Sequence, residues 1–576
     1  MNFRGIHRRA CFAILAALLA GWGGRSGEPM PAARNPVSVA AITGPQRVTP
    51  QGKARLEGYI RAAELSDLRW PNFQQYRAQV RKFYDSFGGA LPWIHDRQPS
   101  RQARAVIRLL EDAESEGLRP EDYDGPRWDD RLTMFEHRSA SEDELVRFDL
   151  AVTVSAMRYV FALHNGRVDP ALLDFELGIH RRKFDVSEFL RREIVNAQDV
   201  REAVEAAGTS FPAYRRTLGA LKTYLELARR DNREPLPVPR RTIDPGDEYS
   251  ALPRLARLLV LLADLPQETE NRGSELTYEG DLVAAVKHFQ ERHGLEADGR
   301  IGRRTLRALN TPLSRRVAQL ELTLERWRWM PHEMAPPLIV VNIPEFRLHA
   351  LDAHYHEVLS MKVVVGRAYR YKTPVFVSKL TSVIFRPYWN VPLSIQLREL
   401  LPDIEKDPSY LAKNDYEVVD PAGNIVSEGL VSSEIMEQLR TGKLSVRQRP
   451  GSKNALGLIK FEFPNQFSVY MHGTPAMVLF SKSRRDFSHG CIRVEDPVAL
   501  AAWALHERPE WDEEHIRAAM DGEKTIGVNL MKSTNVLIVY STAVATEASE
   551  VHFFNDIYGY DAALERALRE VYPYPR

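Results

Sequence analysis

Apolar residues recur at three- and four-residue spacing through the first half of the chain, then at two-residue spacing through much of the second. Between Gln51 and Arg230, segments such as 149–163 (DLAVTVSAMRYVFAL) and 213–227 predict helices packed into a scaffold. Pro235, Pro237, Pro239 and Pro245 then predict an extended linker or edge, because proline removes a donor and blocks helix continuation. Residues 251–265, 281–293 and 303–309 read as three short helices, and 313–329 as a further helix whose Arg and Trp residues form a packed, snorkelling face.

From Pro337 the pattern predicts strands over 338–343, 346–348, 358–365 and 375–385, broken at Pro387–Pro392. Residues 394–444 read as helices and loops before strands resume at Leu456. An interruption of this length predicts a helical cap inserted into the sheet, acting as a lid. Runs 457–463 and 466–471 around Pro464–Asn465 predict a hairpin. Its second strand would carry Phe467, Val469 and Met471 on one face, with Ser468, Tyr470 and His472 on the other. Asp496–Pro497 supplies an N-cap and first residue for a closing helix.

Composition narrows the function classes. With 576 residues the chain has room for several domains, and a net charge of +1 gives no electrostatic footprint for nucleic acid or anionic membrane. The start, MNFRGIHRR followed by an apolar run to Ala20 and then GWGG, predicts a Sec-type signal peptide over 1–24 and therefore export, with membrane association only through that signal or an uncleaved anchor. Only two cysteines exist, Cys11 and Cys491, so removal of the signal leaves Cys491 alone and no internal disulfide. A lone thiol in an oxidising compartment pairs between molecules, is reactive, or is buried and inert.

The surroundings of Cys491 favour reactivity. It lies in Ser488-His489-Gly490-Cys491-Ile492-Arg493-Val494, and Lys482, Arg484, Arg485 and Arg493 outweigh Asp486 nearby. An unperturbed thiol, pKa ~8.5, is only a few per cent ionised near neutrality, and cations favour its thiolate. His472, ending the neighbouring strand, could serve as base in a Cys-His nucleophilic pair, and the Gly490 and Cys491 amides could face a developing oxyanion. His472, His489 and Cys491 lack the further spaced ligand that a zinc site needs.

Two motifs carry family resemblances. FQERHGLEADGRIGRRTLRAL (289–309) resembles the three-helix peptidoglycan-binding module; Phe289, Leu295, Ile301, Thr305 and Leu309 read there as core and turn residues rather than ligand contacts. His472-Gly473-Thr474 with SHGCIRV resembles the L,D-transpeptidase (YkuD-like) active-site signature. RPYWNVP (386–392), PGSKNALG (450–457) and the cap resemble its large periplasmic subclass. The broader family places Asn where Arg493 stands.

The resemblance implies a multidomain α+β chain: signal 1–24, linker 25–50, helical scaffold 51–245, peptidoglycan-binding module 246–312, connecting helix 313–336, mainly β catalytic domain 337–545 with cap 396–447, and tail 546–576. The tail reads as a packed helix or a docking segment. The resemblance also implies Cys491 as nucleophile, His472 as base oriented by the Gly473 carbonyl, and Ser488, His489, Arg493, Tyr388, Trp389 and Asn390 at the substrate. Arg493 could instead form a salt bridge within its loop, His489 a structural hydrogen bond, and Tyr388 and Trp389 an apolar wall.

The implied activity is periplasmic cross-linking of third-position diaminopimelates between peptidoglycan tetrapeptide stems. It would proceed through a thioester with loss of D-alanine, without cofactor or metal, beside cell-wall synthases, and with carbapenem sensitivity. Same-fold alternatives are lipoprotein anchoring or hydrolysis, and a non-catalytic murein scaffold is the alternative of another class.

Overall fold

The computed structural model describes residues 44–137, 139–173, 183–267, 277–332 and 334–570. The expected signal peptide and most of the expected linker lie outside the described residues, as do the last six residues of the tail. No helix among the described residues is long and apolar enough to cross a membrane.

The scaffold is built around the helix Glu142–Asn165, opened by a capping box between Ser141 and Glu144 and buried on nearly every side. A small hairpin, β1 (Ile94–His95) with β2 (Gln98–Pro99), leans on it. Trp93 donates its backbone N–H at 2.8 Å to Asp149 on that helix, and the Tyr84 hydroxyl donates to the same carboxyl at 2.7 Å. Burial nevertheless pushes the Asp149 carboxyl up to about 8. The helix Pro212–Arg229 packs with the helix Leu313–Trp329 in the same core as the strands that follow.

The module's motif has a physical explanation. Helices Leu252–Leu261, Asp281–Arg292 and Arg303–Leu309 enclose their own core, with Phe289 and Ile301 fully buried. Buried Gln290 donates to Asp298 Oδ1 at 3.0 Å, the Arg300 carbonyl at 2.9 Å and Thr305 Oγ1 at 3.1 Å. Its own carbonyl accepts from Gly299 N at 2.8 Å. Gly299 sits at φ 75°, where a side chain would be strained. One glutamine thus ties the Asp-Gly turn to both flanking helices.

The region that follows is a closed β ring. Strands β3 (Leu338–Asn342), β4 (Arg347–Leu351), β5 (Glu357–Gly366) and β6 (Phe376–Phe385) precede the inserted subdomain. That subdomain carries β7 (Trp389–Asn390), β8 (Tyr416–Val419), β9 (Ile425–Ser427) and β10 (Ser445–Gln448). Then come β11 (Ile459–Glu462), β12 (Met471–His472), β13 (Asp486–Ser488), β14 (Ile492–Val494) and β15 (Ile526–Val539). Hydrogen bonding runs β5-β14-β12-β11-β6-β15-β3-β4, and β4 pairs back to β5. Inward residues such as Val363, Met471, Ile492 and Phe461 are fully buried.

Two expectations need correction here. The cap is not only helical: β7, β10, β8 and β9 form its own sheet, packed with helical residues around Leu411, Val418, Leu439 and Val446. The expected second hairpin strand shrinks to Met471–His472, because the Asn465 carboxamide captures the intervening backbone. Its oxygen accepts from Phe467 N at 3.0 Å and Val469 N at 3.1 Å, replacing ladder bonds.

The tail packs as β16 (Ala543–Ala545), β17 (Val551–Phe553) and the helix Tyr560–Glu570. Arg326 and Arg328 on the connecting helix are buried rather than snorkelling. Arg326 donates to Asp561 Oδ1 at 2.7 Å, and Thr542 donates to Asp561 Oδ2 at 2.6 Å. Breaking this buried ion pair and the Thr542 hydrogen bond together, Asp561→Ala is expected to cost about 3 kcal/mol in urea unfolding.

Candidate active site

The register of the ring gathers the site. β12 and β14 are parallel, with Met471 opposite Ile492 and His472 opposite Arg493, while antiparallel β11 sets Lys460 opposite His472. Paired residues share a face, so Lys460, His472 and Arg493 lie outside the ring while Met471 and Ile492 fill it. Ile492 N donates to the Tyr470 carbonyl at 3.1 Å, which continues the register and sets Tyr470 beside Cys491 on the same outer face.

His472 is buried, and its Nδ1–H donates to the Gly473 carbonyl at 2.5 Å, the orienting contact expected from the sequence. That bond fixes the tautomer of the neutral ring with Nε2 unprotonated and able to accept a proton. Burial first, then the Arg493 charge, pulls its pKa down to about 3, against weaker support for the charged form from the Gly473 and Leu456 carbonyls. Cys491 is half-buried, its Sγ 3.8 Å from the Ser468 carbonyl. Burial pushes its thiol above the ordinary value. The Tyr470 backbone N–H and hydroxyl, Lys460 and Arg493 act in the opposite direction. At rest the two groups are therefore a thiol and a neutral imidazole.

This corrects the expected electropositive surround. Arg484 is bound to Asp486 at 2.6 Å, and Arg485 donates to the Val363, Lys482 and Phe346 carbonyls. Lys482 Nζ lies 5.7 Å from the Phe487 ring centre. The cations that act on the sulfur are Lys460, which was not foreseen, and Arg493. Among the described residues Arg493 makes no ion pair, and its buried Nε has no hydrogen-bond partner. The alternative of a loop salt bridge is thus not what forms.

The loop carrying Cys491 is braced from within. Ser488 Oγ donates to the Cys491 carbonyl at 2.6 Å and accepts from Gly490 N at 3.1 Å, so Ser488, expected at the substrate, is a buried brace. For the same reason the Gly490 amide is not available to an oxyanion, and of the two expected donors only Cys491 N remains without a partner. Gly490 has φ 115°, which strains any residue with a Cβ. Its carbonyl accepts from Thr373 Oγ1 at 2.8 Å. Thr373 N in turn donates at 3.1 Å to the hydroxyl of Tyr558 in the tail, a support with no local signature in the chain.

The cap reaches the site at two places. His489 Nε2 pairs with Glu399 Oε1 at 2.6 Å, taking the structural role left open for it, and its ring lies 4.6 Å from that of Tyr371. Trp389 lies close enough to the Tyr470 hydroxyl to act on it electrostatically, as Cys491 does. Tyr388 and Asn390 are not brought to the sulfur. They are exposed on the opposite side of the strand, Tyr388 with the Arg447 guanidinium 4.5 Å from its ring centre. Among the described residues no group of three or more His, Cys, Asp or Glu converges to hold a metal ion.

Tyr470 is the functional candidate missed in the sequence, although alternation had already set it on the face of His472. Because its hydroxyl favours the thiolate, Tyr470→Phe is expected to raise the Cys491 pKa and slow iodoacetamide alkylation at pH 7 by about 3- to 10-fold. The pH dependence of alkylation checks this.

A ring carrying one thiol, a neutral tautomer-fixed imidazole and a free cation on its outer face is the arrangement of a cysteine acyl-transfer site. Residues 336–536 match the L,D-transpeptidase catalytic domain family (YkuD), 269–309 a peptidoglycan binding domain, and 78–221 a scaffold domain. The chain thus carries an L,D-transpeptidase catalytic domain and a peptidoglycan-binding domain on a helical N-terminal region, as the motifs had implied. A curated Haemophilus influenzae protein, whose name assigns it provisionally to the L,D-transpeptidases, is 34% identical over 232 residues. That match takes in 40% of this chain and 45% of the relative, so the chain spans less than half of the relative's length. A solved L,D-transpeptidase of Xylanimonas cellulosilytica aligns with 53% of this chain and 100% of its own at 15% identity and a TM-score of 0.16.

Proposed function

We propose that the protein is an exported, periplasmic enzyme that exchanges one amide for another in peptidoglycan, joining two stems through their third-position diaminopimelates. The observation that carries this reading is the strand register, which sets His472 opposite Arg493 and one step along from Cys491 on the outer face, with Nδ1 of the imidazole committed to the Gly473 carbonyl. As Sγ attacks the carbonyl carbon between the third and fourth stem residues, its proton passes to His472 Nε2. The C–N bond breaks, His472 protonates departing D-alanine, and a Cys491 thioester remains. The acceptor's side-chain amine then attacks, His472 takes its proton, the C–S bond breaks, and the sulfur regains a proton. No ATP or cofactor enters, because the thioester conserves the amide's acyl transfer potential.

Within this reading the Cys491 N–H faces the developing oxyanion, and Arg493, lacking an anionic partner, receives a substrate carboxylate. Trp389 and the His489–Glu399 pair line the approach beneath the cap. The expected domain division also belongs to this proposal: the module near 246–312 holds the wall, the region 337–545 performs the chemistry, and periplasmic cell-wall synthases supply substrate. Intact-protein mass spectrometry after brief mixing with disaccharide-tetrapeptide tests it. The adduct should equal the donor minus D-alanine and be absent in Cys491→Ala. An adduct retaining D-alanine, or none at all, contradicts the mechanism.

A further inference from the structure

Strands β3, β4 and β5 form one wall of a cavity of about 900 Å³ that none of Cys491, His472, Tyr470 or Arg493 lines. The start of the helix Pro212–Arg229 and the Gly294–Ala297 turn of the binding module form the facing walls. Residues 480–483 and Arg485, from the loop that joins His472 to Cys491, contribute a further side. The cavity therefore touches the scaffold, the module and the loop carrying the chemistry.

Its charges are unevenly matched. His349 lies between two carboxylates, 2.6 Å from Glu357 and 3.2 Å from Glu345, and their charges hold it protonated, with a pKa raised to about 10. Glu495, just outside the cavity, accepts from Lys362 N at 3.0 Å and lies 3.6 Å from Lys362 Nζ. Glu345, Glu357 and Glu495 are thus matched, and Glu291, Glu296 and Glu547 also line the cavity, whereas Arg347 and Arg485 are not matched. Arg347 donates only from Nε, to Ser360 Oγ at 3.2 Å, and Arg485 binds only backbone carbonyls. Neither makes an ion pair among the described residues. The two guanidiniums repel each other, which together with burial lowers the Arg485 pKa to about 10. Among the described residues no anion lies within salt-bridge distance of this pair; Glu495 and Glu345 act on Arg485 only from farther away. Elsewhere in the cavity wall the rings of Phe211, Trp327 and Tyr355 cluster, at 5.6 Å and 6.1 Å from Phe211, into an apolar shelf.

We propose that this cavity is a second peptidoglycan-binding site, in which a free carboxylate of a stem peptide lies between Arg347 and Arg485 and its sugar or alanyl portion rests on the Phe211, Trp327 and Tyr355 rings. The identity of the ligand rests on the peptidoglycan reading above; the vacant cationic pair does not. A strand held here contacts the loop between His472 and Cys491, so wall binding and chemistry share one structural element.

The test uses the full chain with Cys491→Ala and a photo-crosslinkable disaccharide-tripeptide, with labelled peptides mapped by mass spectrometry and affinity measured by calorimetry. Labelling is expected within 347–362 and 480–485, and Arg347→Glu, at the partly exposed position, should weaken binding at that site by at least about 10-fold, whereas Arg347→Lys should retain most of it. Alkylation of Cys491 in an otherwise native Arg347→Glu chain should be unchanged, showing that the fold and thiol survive. Labelling confined to the surroundings of position 491, or equal binding by Arg347→Glu, overturns the proposal. If the native chain turns over tetrapeptide while the cavity fails these tests, the cavity site alone falls. If turnover is absent but Arg347-dependent labelling persists, the transpeptidase reading falls and the cavity site stands.

Discussion

Replacing Cys491 with Ser is expected to lower turnover of a tetrapeptide donor by at least about 10⁴-fold, the scale on which an essential nucleophile fails. The hydroxyl would occupy the position of the thiol, but its pKa lies far above that of a thiol, and a neutral imidazole with a pKa near 3 is a weak base toward it. Because Cys491 is half-buried on the ring's outer face and Ser is slightly smaller, folding should be retained. Unchanged thermal unfolding together with lost turnover separates chemistry from stability. Measurable turnover within 10² of the native enzyme would remove Cys491 from the mechanism.

His472→Ala is expected to cost about 10²- to 10⁴-fold at pH 7, the range of general-base catalysis, and to change the shape of the pH profile. With His472 pulled down to about 3 and the Cys491 thiol pushed up, the native free enzyme holds both groups neutral between those limits. kcat/KM should then be level across neutrality, with no inflection near 6.5. Below the histidine's pKa the ring is protonated and cannot accept the thiol's proton, so activity falls on that side. Alkylation by iodoacetamide follows the thiolate alone and should rise steadily with pH through neutrality. In His472→Ala, turnover should lose its plateau and follow the thiolate in the same way. A shared inflection near pH 6 to 7 in both assays would instead indicate a preformed thiolate-imidazolium pair.

Much of this site was legible before any coordinates. Cys491 stands alone in the second half of the chain, SHGCIRV surrounds it, and alternation sends His472 outward from the apolar face of its strand. Helix and strand positions followed from periodicity: 303–309 and 313–329 form the expected helices, and Asp496 caps the helix Pro497–Ala504 by accepting from Ala499 N at 2.9 Å. The misreadings share one cause. Charges near in sequence were counted toward Cys491, yet β13 and its preceding turn carry Arg484 and Arg485 toward Asp486 and the β4–β5 side. Lys460, itself paired with Glu462 at 2.6 Å, acts on the sulfur by its charge from a strand that sequence distance conceals. Chain proximity also suggested a Gly490 amide donor, whereas the Ser488 hydroxyl two residues away claims it. The cap sheet was hidden because its strands, of two to four residues, are too short to show alternation.

The long-range supports were least visible. Tyr558 braces Thr373 and through it the Gly490 carbonyl, and Asp561 matches Arg326 on the connecting helix, so the tail contributes to holding the nucleophile's loop. Such contacts depend on the closed ring, whose closure through β4 and β5 is a tertiary fact with no local signature.

The central claim is amide exchange through Cys491. Its most direct test is incubation of the purified chain with disaccharide-tetrapeptide, with products resolved by mass spectrometry. The account predicts dimers linked through two third-position residues, one D-alanine released per link, without ATP, and none from Cys491→Ala. Tetrapeptide converted only to tripeptide by water, or dimers formed equally by Cys491→Ala, would contradict it.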